Sequence, residues 1–433
     1  MRPSLRRAIG AALAAALTCL AHPAGAAVSE GGALPRTERA SENRAAAPRT
    51  ERIGENRAAP HTERISVAPD GTGGNRHSVD PTVSADGRVV AFMSSATNLV
   101  PGTDVPTSVF YRTAPGAALK RVVVPGESTM VPRVSDSGSH LTFTSYSAAT
   151  QKYSVHVMDL RTGRVDPVAP ALGDGYRADY GAAPLSADGR HLAFVARTAP
   201  GTDGASRCRI VLLDRRKQQL WRAGPSTDRE CQDISLSADG RKVAYRVGYT
   251  GPSDDDQADI WVYDRVTGQR TQADATHDGA PADHSAIAPV LSADGSRVGF
   301  DSVATNLVPG TDPNGSTSTS WNAFVRDLRT GALQRYDGRS PTDLTVVSDL
   351  SADGSKLLLN TADTNGRTLG LVLRDPRTGH EELLSPGQDG RPVTVGRAAL
   401  STDESAAVFD SYHPQLVPDD TNLTGDVFVR TLR

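Results

Sequence analysis

The chain has 433 residues, 38% of them hydrophobic and 22% charged, with a formal net charge of −3. Both signs of charge are spread along it without a basic stripe, which removes the electrostatic footprint of nucleic-acid binding. Its length would accommodate two or three ordinary domains, but uninterrupted repetition from Ser84 onward argues for one large one.

At the N-terminus Arg2, Arg6 and Arg7 precede an apolar stretch over residues 8–20, and Ala24-Gly25-Ala26 has the small side chains of a signal-peptidase site. Residues 1–26 are therefore expected to be an export signal, placing the protein outside the cell. The stretch is too short to span a bilayer, and no membrane span is expected in the mature chain. Residues 27–61 follow as a tandem duplication: PRTERASENRAAA from Pro35, PRTERIGENRAA from Pro48 and PHTERIS from Pro60. Large apolar groups are too few here to offset the entropy of ordering, so a disordered linker is expected.

The rest, residues 62–433, repeats. Residues 62–67 (TERISV) read as a strand with no unit before it. Seven variants of a nine-residue phrase then begin at Ser84 (SADGRVVAF), Ser135, Ser186, Ser237, Ser292, Ser351 and Ser401 (STDESAAVF), at intervals of 51, 51, 51, 55, 59 and 50 residues. That spacing is too long for a helix pair and suits a four-stranded propeller blade. Asp-Gly, as at Asp86-Gly87, is expected to supply the positive φ angles of a hairpin turn, and the strand after it ends on an aromatic such as Phe92, Phe143, Phe194, Tyr245 or Phe300. A second apolar run closes on its own turn, as in VHVMDLRTG to Gly163 and AFVRDLRTG to Gly331. The acids of both turns are assigned to structure. Unit seven stops at Arg433 after its third strand, so residues 62–67 are expected to complete it and remove the open edge. The fold class is thus an all-β, seven-bladed propeller closed by its N-terminal strand.

The mature chain keeps Cys208 and Cys231, at the head of the third strand of blade 3 and in the crossing to blade 4. Both positions emerge on one face of a propeller, which allows a disulfide in an exported protein.

The SxDG phrase with its downstream D-x-x-T-G turn resembles the propeller repeats of the TolB family, also described as tryptophan-aspartate-like repeats. SSATNLVPGTD at Ser94, SVATNLVPGTDPN at Ser302 and SYHPQLVPDDTN at Ser411 resemble a loop of secreted bacterial members. The resemblance implies an exported propeller that binds something. TolB itself has six blades and a separate N-terminal domain, so its periplasmic role does not carry over.

Catalytic motifs are missing: there is no G-x-S-x-G elbow, and the ten His show no H-E-x-x-H or H-x-H spacing. A propeller ligand site usually occupies the axial mouth, on the loops entering the innermost strands. Reading back from each phrase selects His77 and Asp80, Asp179 and Tyr180, Glu230 and Asp233, His284, and Arg397. This mixture of acids, His and one aromatic suits a cation, a sugar or a basic peptide. Calcium is a second candidate: Asp420, Asn422 and Asp426 put three oxygen side chains in one loop, and the aligned loop of blade 4 holds Asp254, Asp255, Asp256 and Asp259. No other cofactor is expected. The expectation is a secreted, monomeric binding module for an extracellular protein or glycan, against the alternative of a carbohydrate-active enzyme with its site in the axial well.

Overall fold

The computed structural model describes residues 60–432, apart from positions 103–104, 169–171, 173–174, 203–205, 225–226, 228, 249–256, 310–320, 341–342, 364 and 366. The expected signal and most of the expected linker lie outside the described residues, as do Asp254, Asp255 and Asp256. The described residues form seven four-stranded antiparallel sheets and no helix. No helix among them is long and apolar enough to cross a membrane.

Within a blade the strands are called A to D outward from the axis. The A strands are Ser78–Val83, Glu127–Val134, Arg177–Ala178, Cys231–Leu236, Ala286–Leu291, Leu344–Leu350 and Ala398–Leu400. Blade 7 takes its A, B and C strands from the C-terminus, and its D strand is His61–Arg64, paired antiparallel to Asp426–Thr431. The closing strand is therefore shorter than the expected 62–67 and begins one residue earlier. Beyond it the Ile65 amide still donates to the Val427 carbonyl, but Ser66 turns its hydroxyl to Asp426 and the ladder ends.

The phrase makes the A–B turn, although only its fourth residue takes positive φ, +70° at Gly87 and +58° at Glu404, which stands in the glycine's place in blade 7. Asp86 works through its side chain: Oδ1 accepts from the Ser84 hydroxyl at 2.6 Å and the Arg88 amide at 3.1 Å, while Ser84 Oγ accepts from the Val89 amide at 2.9 Å. Glycine is needed at the tip for a second reason. A Cβ at Gly189 would lie 2.3 Å from the His140 ring and one at Gly240 2.6 Å from His191, because each turn tip packs against the preceding blade. Backbone hydrogen bonds link six of the seven neighbouring tips, Asp403 N to Ala85 O at 2.9 Å joining blade 7 to blade 1, and the Lys356–Glu404 ion pair bridges blades 6 and 7. In the D-x-x-T-G turns Asp159 Oδ1 accepts the amides of Arg161 and Thr162, and the same arrangement recurs at Asp327. Both repeated acids are structural, as expected.

The core is not one mass but seven slabs, one at each blade-to-blade interface. Phe194 illustrates the construction: it is fully buried with Val155 and Val157 of blade 2 against Val211 and Leu213 of its own blade. Phe92, Phe143, Tyr245, Phe300 and Phe409 occupy the equivalent place, packed toward the blade before them. A β-sheet with two apolar faces can be stable only when both are covered, and stacking in a closed ring covers every one.

Cys208 and Cys231 form a disulfide, with Cα atoms 6.1 Å apart. Cys231 opens the A strand of blade 4 and does not sit in the crossing. The bond ties the C strand of one blade to the A strand of the next, and closing a loop of 23 residues' separation contributes about 3 kcal/mol in the chain-entropy treatment.

Candidate functional site

Strands A line the axis, and their shape there is set by a recurrent irregularity. Four residues before the phrase serine, Asp80, Val131, Asp233 and Ala288 have φ between 51° and 56°, and the A–B ladder shifts register beside each. These are β-bulges, which bend a strand and re-aim its side chains. Asp80 and Asp233 therefore belong to the A strands themselves, and Arg397 directly precedes one, so the mouth reaches further into the sheet than its loops.

The bulged strands are held from behind by a row of polar residues one position after the last residue of the phrase, which is aromatic in these blades except blade 6, where it is Leu359. Thr144, Arg246, Asp301, Asn360 and Asp410 occupy that row, all of them buried. Asp410 Oδ2 accepts the Asp80 amide of blade 1 at 3.0 Å while its Oδ1 accepts the Arg397 amide at 3.2 Å. Asp301 Oδ1 accepts the Val347 amide of blade 6 at 2.7 Å, and Asn360 donates to the Val395 carbonyl of blade 7 at 3.0 Å. Asp349 does the same one level away, accepting the Leu400 amide at 2.9 Å. Burial pushes the Asp410 carboxyl up to about 7 and that of Asp349 to about 6, and raises Asp301 well above the carboxylate range. Because their oxygens are engaged by backbone amides, we assign these acids to holding the strands. Gly396 is part of the same device, since a Cβ there would fall 1.9 Å from Asp410 Oδ1.

In front of that support the structure gathers three of the expected residues and one that was not foreseen. Asp80 carries Arg133 of blade 2 at 3.3 Å and Arg397 of blade 7 at 3.7 Å. Asp80 is also the chief reason that the Arg397 guanidinium is held more firmly protonated, with Asp233 of blade 4 contributing from the far side of the axis. Tyr180 stands beside them. Burial and then the Asp80 carboxylate raise its phenol, although half of the residue is exposed. Its ring meets Tyr153 at 5.2 Å, and Tyr153 meets Tyr146 at 5.0 Å, forming a tilted ladder that fixes the outermost ring. Asp80 is shared between the two guanidinium groups, and 48% of the Arg397 side chain faces solvent.

The remaining expected residues are engaged elsewhere. Asp179 pairs with Arg197 at 2.6 Å. Glu230 and Asp233 both face Arg246, Asp233 at 2.7 Å, and Glu230 also accepts from Gln232. His77 Nδ1 accepts the Gly425 amide and its ring packs on Tyr412, holding the seam between blades 7 and 1. His284 lies 3.2 Å from Asp283, whose carboxylate is itself bound by Thr305. That contact explains the repeated TNLVPGTD loop: Asn98 and Asn306 pin it to the chain entering strand A, and Leu99 and Leu307 are buried beneath.

The calcium candidates do come together, and a cation lies among them. Arg64 of the closing strand donates to Asp420 at 3.0 Å and stands 3.6 Å from Asp426, with all three side chains at least 94% buried. Burial pushes both carboxyls up, and the guanidinium opposes that. Asn422 accepts from Thr424 and donates to the Gly74 carbonyl. Asp259 lies 3.6 Å from Arg229. Among the described residues there is no group of three or more His, Cys, Asp or Glu arranged to hold a metal.

Arg133, Tyr146, Tyr153 and the row containing Asp410 escaped the sequence reading. The row had a detectable signal: a polar residue directly after the aromatic, where strand alternation puts a side chain on the opposite face.

No protein-family model and no curated protein matches this chain. Solved structures do. An oligogalacturonate lyase in complex with manganese aligns at 13% identity and a TM-score of 0.57, covering 87% of this chain and 97% of that one. The oligogalacturonate lyase of Vibrio parahaemolyticus aligns at 12% identity and 0.56, over 87% and 98%. The β-propeller domain of the trilobed protease of Pyrococcus furiosus, described as having an open velcro topology, aligns at 13% and 0.53, over 77% and 91%. The shared property is the propeller fold. Here the ring is closed by the pairing of His61–Arg64 with Asp426–Thr431.

Proposed function

We propose that the protein is an exported glycan-binding module that holds a sugar chain at its axial mouth. The observation that carries this reading is Tyr180: a half-exposed aromatic braced by two further tyrosines and set beside Asp80, Arg133 and Arg397. The apolar face of a pyranose stacks on such a ring, while its hydroxyls need donors and acceptors close together, which a shared carboxylate and two guanidinium groups supply. A disulfide between blades 3 and 4 supports an oxidising destination outside the cytoplasm, in line with the export signal expected at residues 1–26.

The test is a glycan array followed by calorimetry on the best binder. Tyr180→Ala should lower its affinity by about tenfold or more, the loss of roughly 1.5–3 kcal/mol expected for one stacked aromatic, without changing the melting temperature. Unchanged affinity would falsify the mouth as the site. New reducing ends or unsaturated sugar products on prolonged incubation would move the reading to a carbohydrate-active enzyme with the same axial well.

A further inference from the structure

On the face that carries the mouth, a second concavity opens at the junction of blades 6 and 7. It has a volume of about 290 Å³ and is lined by Arg367, Arg391 and His413 together with Thr368, Thr394 and Val393. That volume is at the small end of ligand sites, roughly 300–1,000 Å³, and suits a single sugar-sized or anionic group. Among the described residues two guanidinium groups and an imidazole line it and no carboxylate does, on a protein whose net charge is −3. The local excess of cations is thus a property of the cavity and not of the whole surface.

Its donors are positioned by the fold. The Thr368 and Thr394 hydroxyls are hydrogen-bonded to each other across the blade junction. The Ser411 hydroxyl holds the Thr394 carbonyl at 2.6 Å and accepts the His413 amide at 3.0 Å. His413 Nδ1 accepts the Gln415 amide, which assigns the proton to Nε2 and leaves it as a donor. Arg367 has its amide tied to Asp363 and its guanidinium without an ion-pair partner among the described residues. Arg391 reaches Asp389 only at 3.8 Å and is 83% exposed. Guanidinium forks with adjacent hydroxyls and an imidazole N–H are the donor set for a planar or tetrahedral oxyanion.

The cavity and the mouth are joined by one short piece of chain. Thr394 lines the cavity and Arg397 stands in the mouth, three residues on, a span of at most about 11 Å. We propose that the cavity is an anion subsite that takes a carboxylate or sulfate group of the chain held at the mouth, so that the ligand is an anionic polysaccharide. The subsite supplies charge selection, and Tyr180 supplies stacking. The identity of the ligand as a glycan rests on the reading of the mouth; anion binding by the cavity does not.

Three probes with one backbone test it: neutral dextran, carboxymethyl-dextran and dextran sulfate, each titrated against the full chain at low and moderate salt. The charged dextrans should bind about tenfold more tightly than the neutral one, the effect of one or two charge-assisted hydrogen bonds, and should protect Arg367 and Arg391 from phenylglyoxal as read by peptide mass spectrometry. Arg367→Gln with Arg391→Gln should erase the preference at an unchanged melting temperature. Arg88→Gln with Arg161→Gln, two exposed cations on the turns of the opposite face, should preserve it. Equal binding of charged and neutral dextran, no protection of the two arginines, or loss of the preference in the opposite-face variant overturns the subsite. Which charged probe wins distinguishes carboxylate from sulfate. If Tyr180→Ala weakens none of the three probes, the mouth reading fails while the cavity result stands.

Discussion

Single residues in this protein are constrained less by their own strand than by the blade next to them. Phe194 is fully buried by side chains of two blades, Gly189 is small because His140 lies against it, and Gly396 is small because Asp410 does. Phe194→Ala should therefore cost about 3–5 kcal/mol, the usual range for removing a packed aromatic, measured by denaturant unfolding. A change within about 0.5 kcal/mol, the size expected on a surface, would mean that the strand faces are assigned the wrong way round. The phrase-ending aromatics were legible because alternation and repetition agree. Asp410 and Asp301 were not, because a charged residue in a strand ordinarily marks the solvent face, and only stacking turns that face toward a neighbouring backbone.

At the scale of elements, the closing strand shows how much one short segment can carry. His61–Arg64 supplies four ladder residues, and Arg64 supplies the cation between Asp420 and Asp426. Deleting residues 1–60 should leave unfolding unchanged, whereas deleting 1–68 removes the ladder, exposes Ile65's packing site and strands two buried carboxyls. Arg64→Ala isolates the last effect and should cost roughly 3–5 kcal/mol, the penalty for breaking a buried ion pair from one side. Equal melting temperatures for the two truncations would sink the closure argument. The missing fourth strand of blade 7 could be read in sequence, because seven phrases make a gap countable. The guanidinium among the acids could not, since Arg64 and Asp420 are 356 positions apart.

For the whole molecule, buried titratable groups set the pH range of the ring. Asp274 and Asp410, both raised by burial to about 7, are protonated when folded at pH values where the unfolded chain has already ionised them. A folded-state pKa above the unfolded one gives stability that is fully present below the unfolded value and is lost as pH rises from about 4 toward the folded value of about 7. His140, His156 and His191 have the opposite sign: burial lowers each, so acidification through the unfolded value near 6.5 favours the unfolded chain. Raising the pH from about 4 to 7 should therefore lower the melting temperature of the native chain more than that of an Asp274→Asn, Asp410→Asn variant, in which the histidine contribution is unchanged, with little further difference above about pH 8. The same change in melting temperature over that range in both proteins would contradict the assignment of Asp274 and Asp410.

What the sequence determined by itself was the repeat, and with it the blade count, the turns and the strand that closes the ring. These follow from local rules: Asp and Gly make turns wherever they fall, and alternation places apolar groups on faces that must be covered. The disulfide was legible as a possibility because the fold brings its two cysteines to one face. Only the tertiary structure decided which polar residues meet. Asp80, Tyr180, Arg397 and Arg133 come from four blades, and His77 and His284, chosen by the same rule, were taken by loop contacts. The physical reason is that a site on the axis is made where blades converge. Its geometry depends on bulges and buried amide contacts between segments far apart in the chain, and no local pattern encodes those distances.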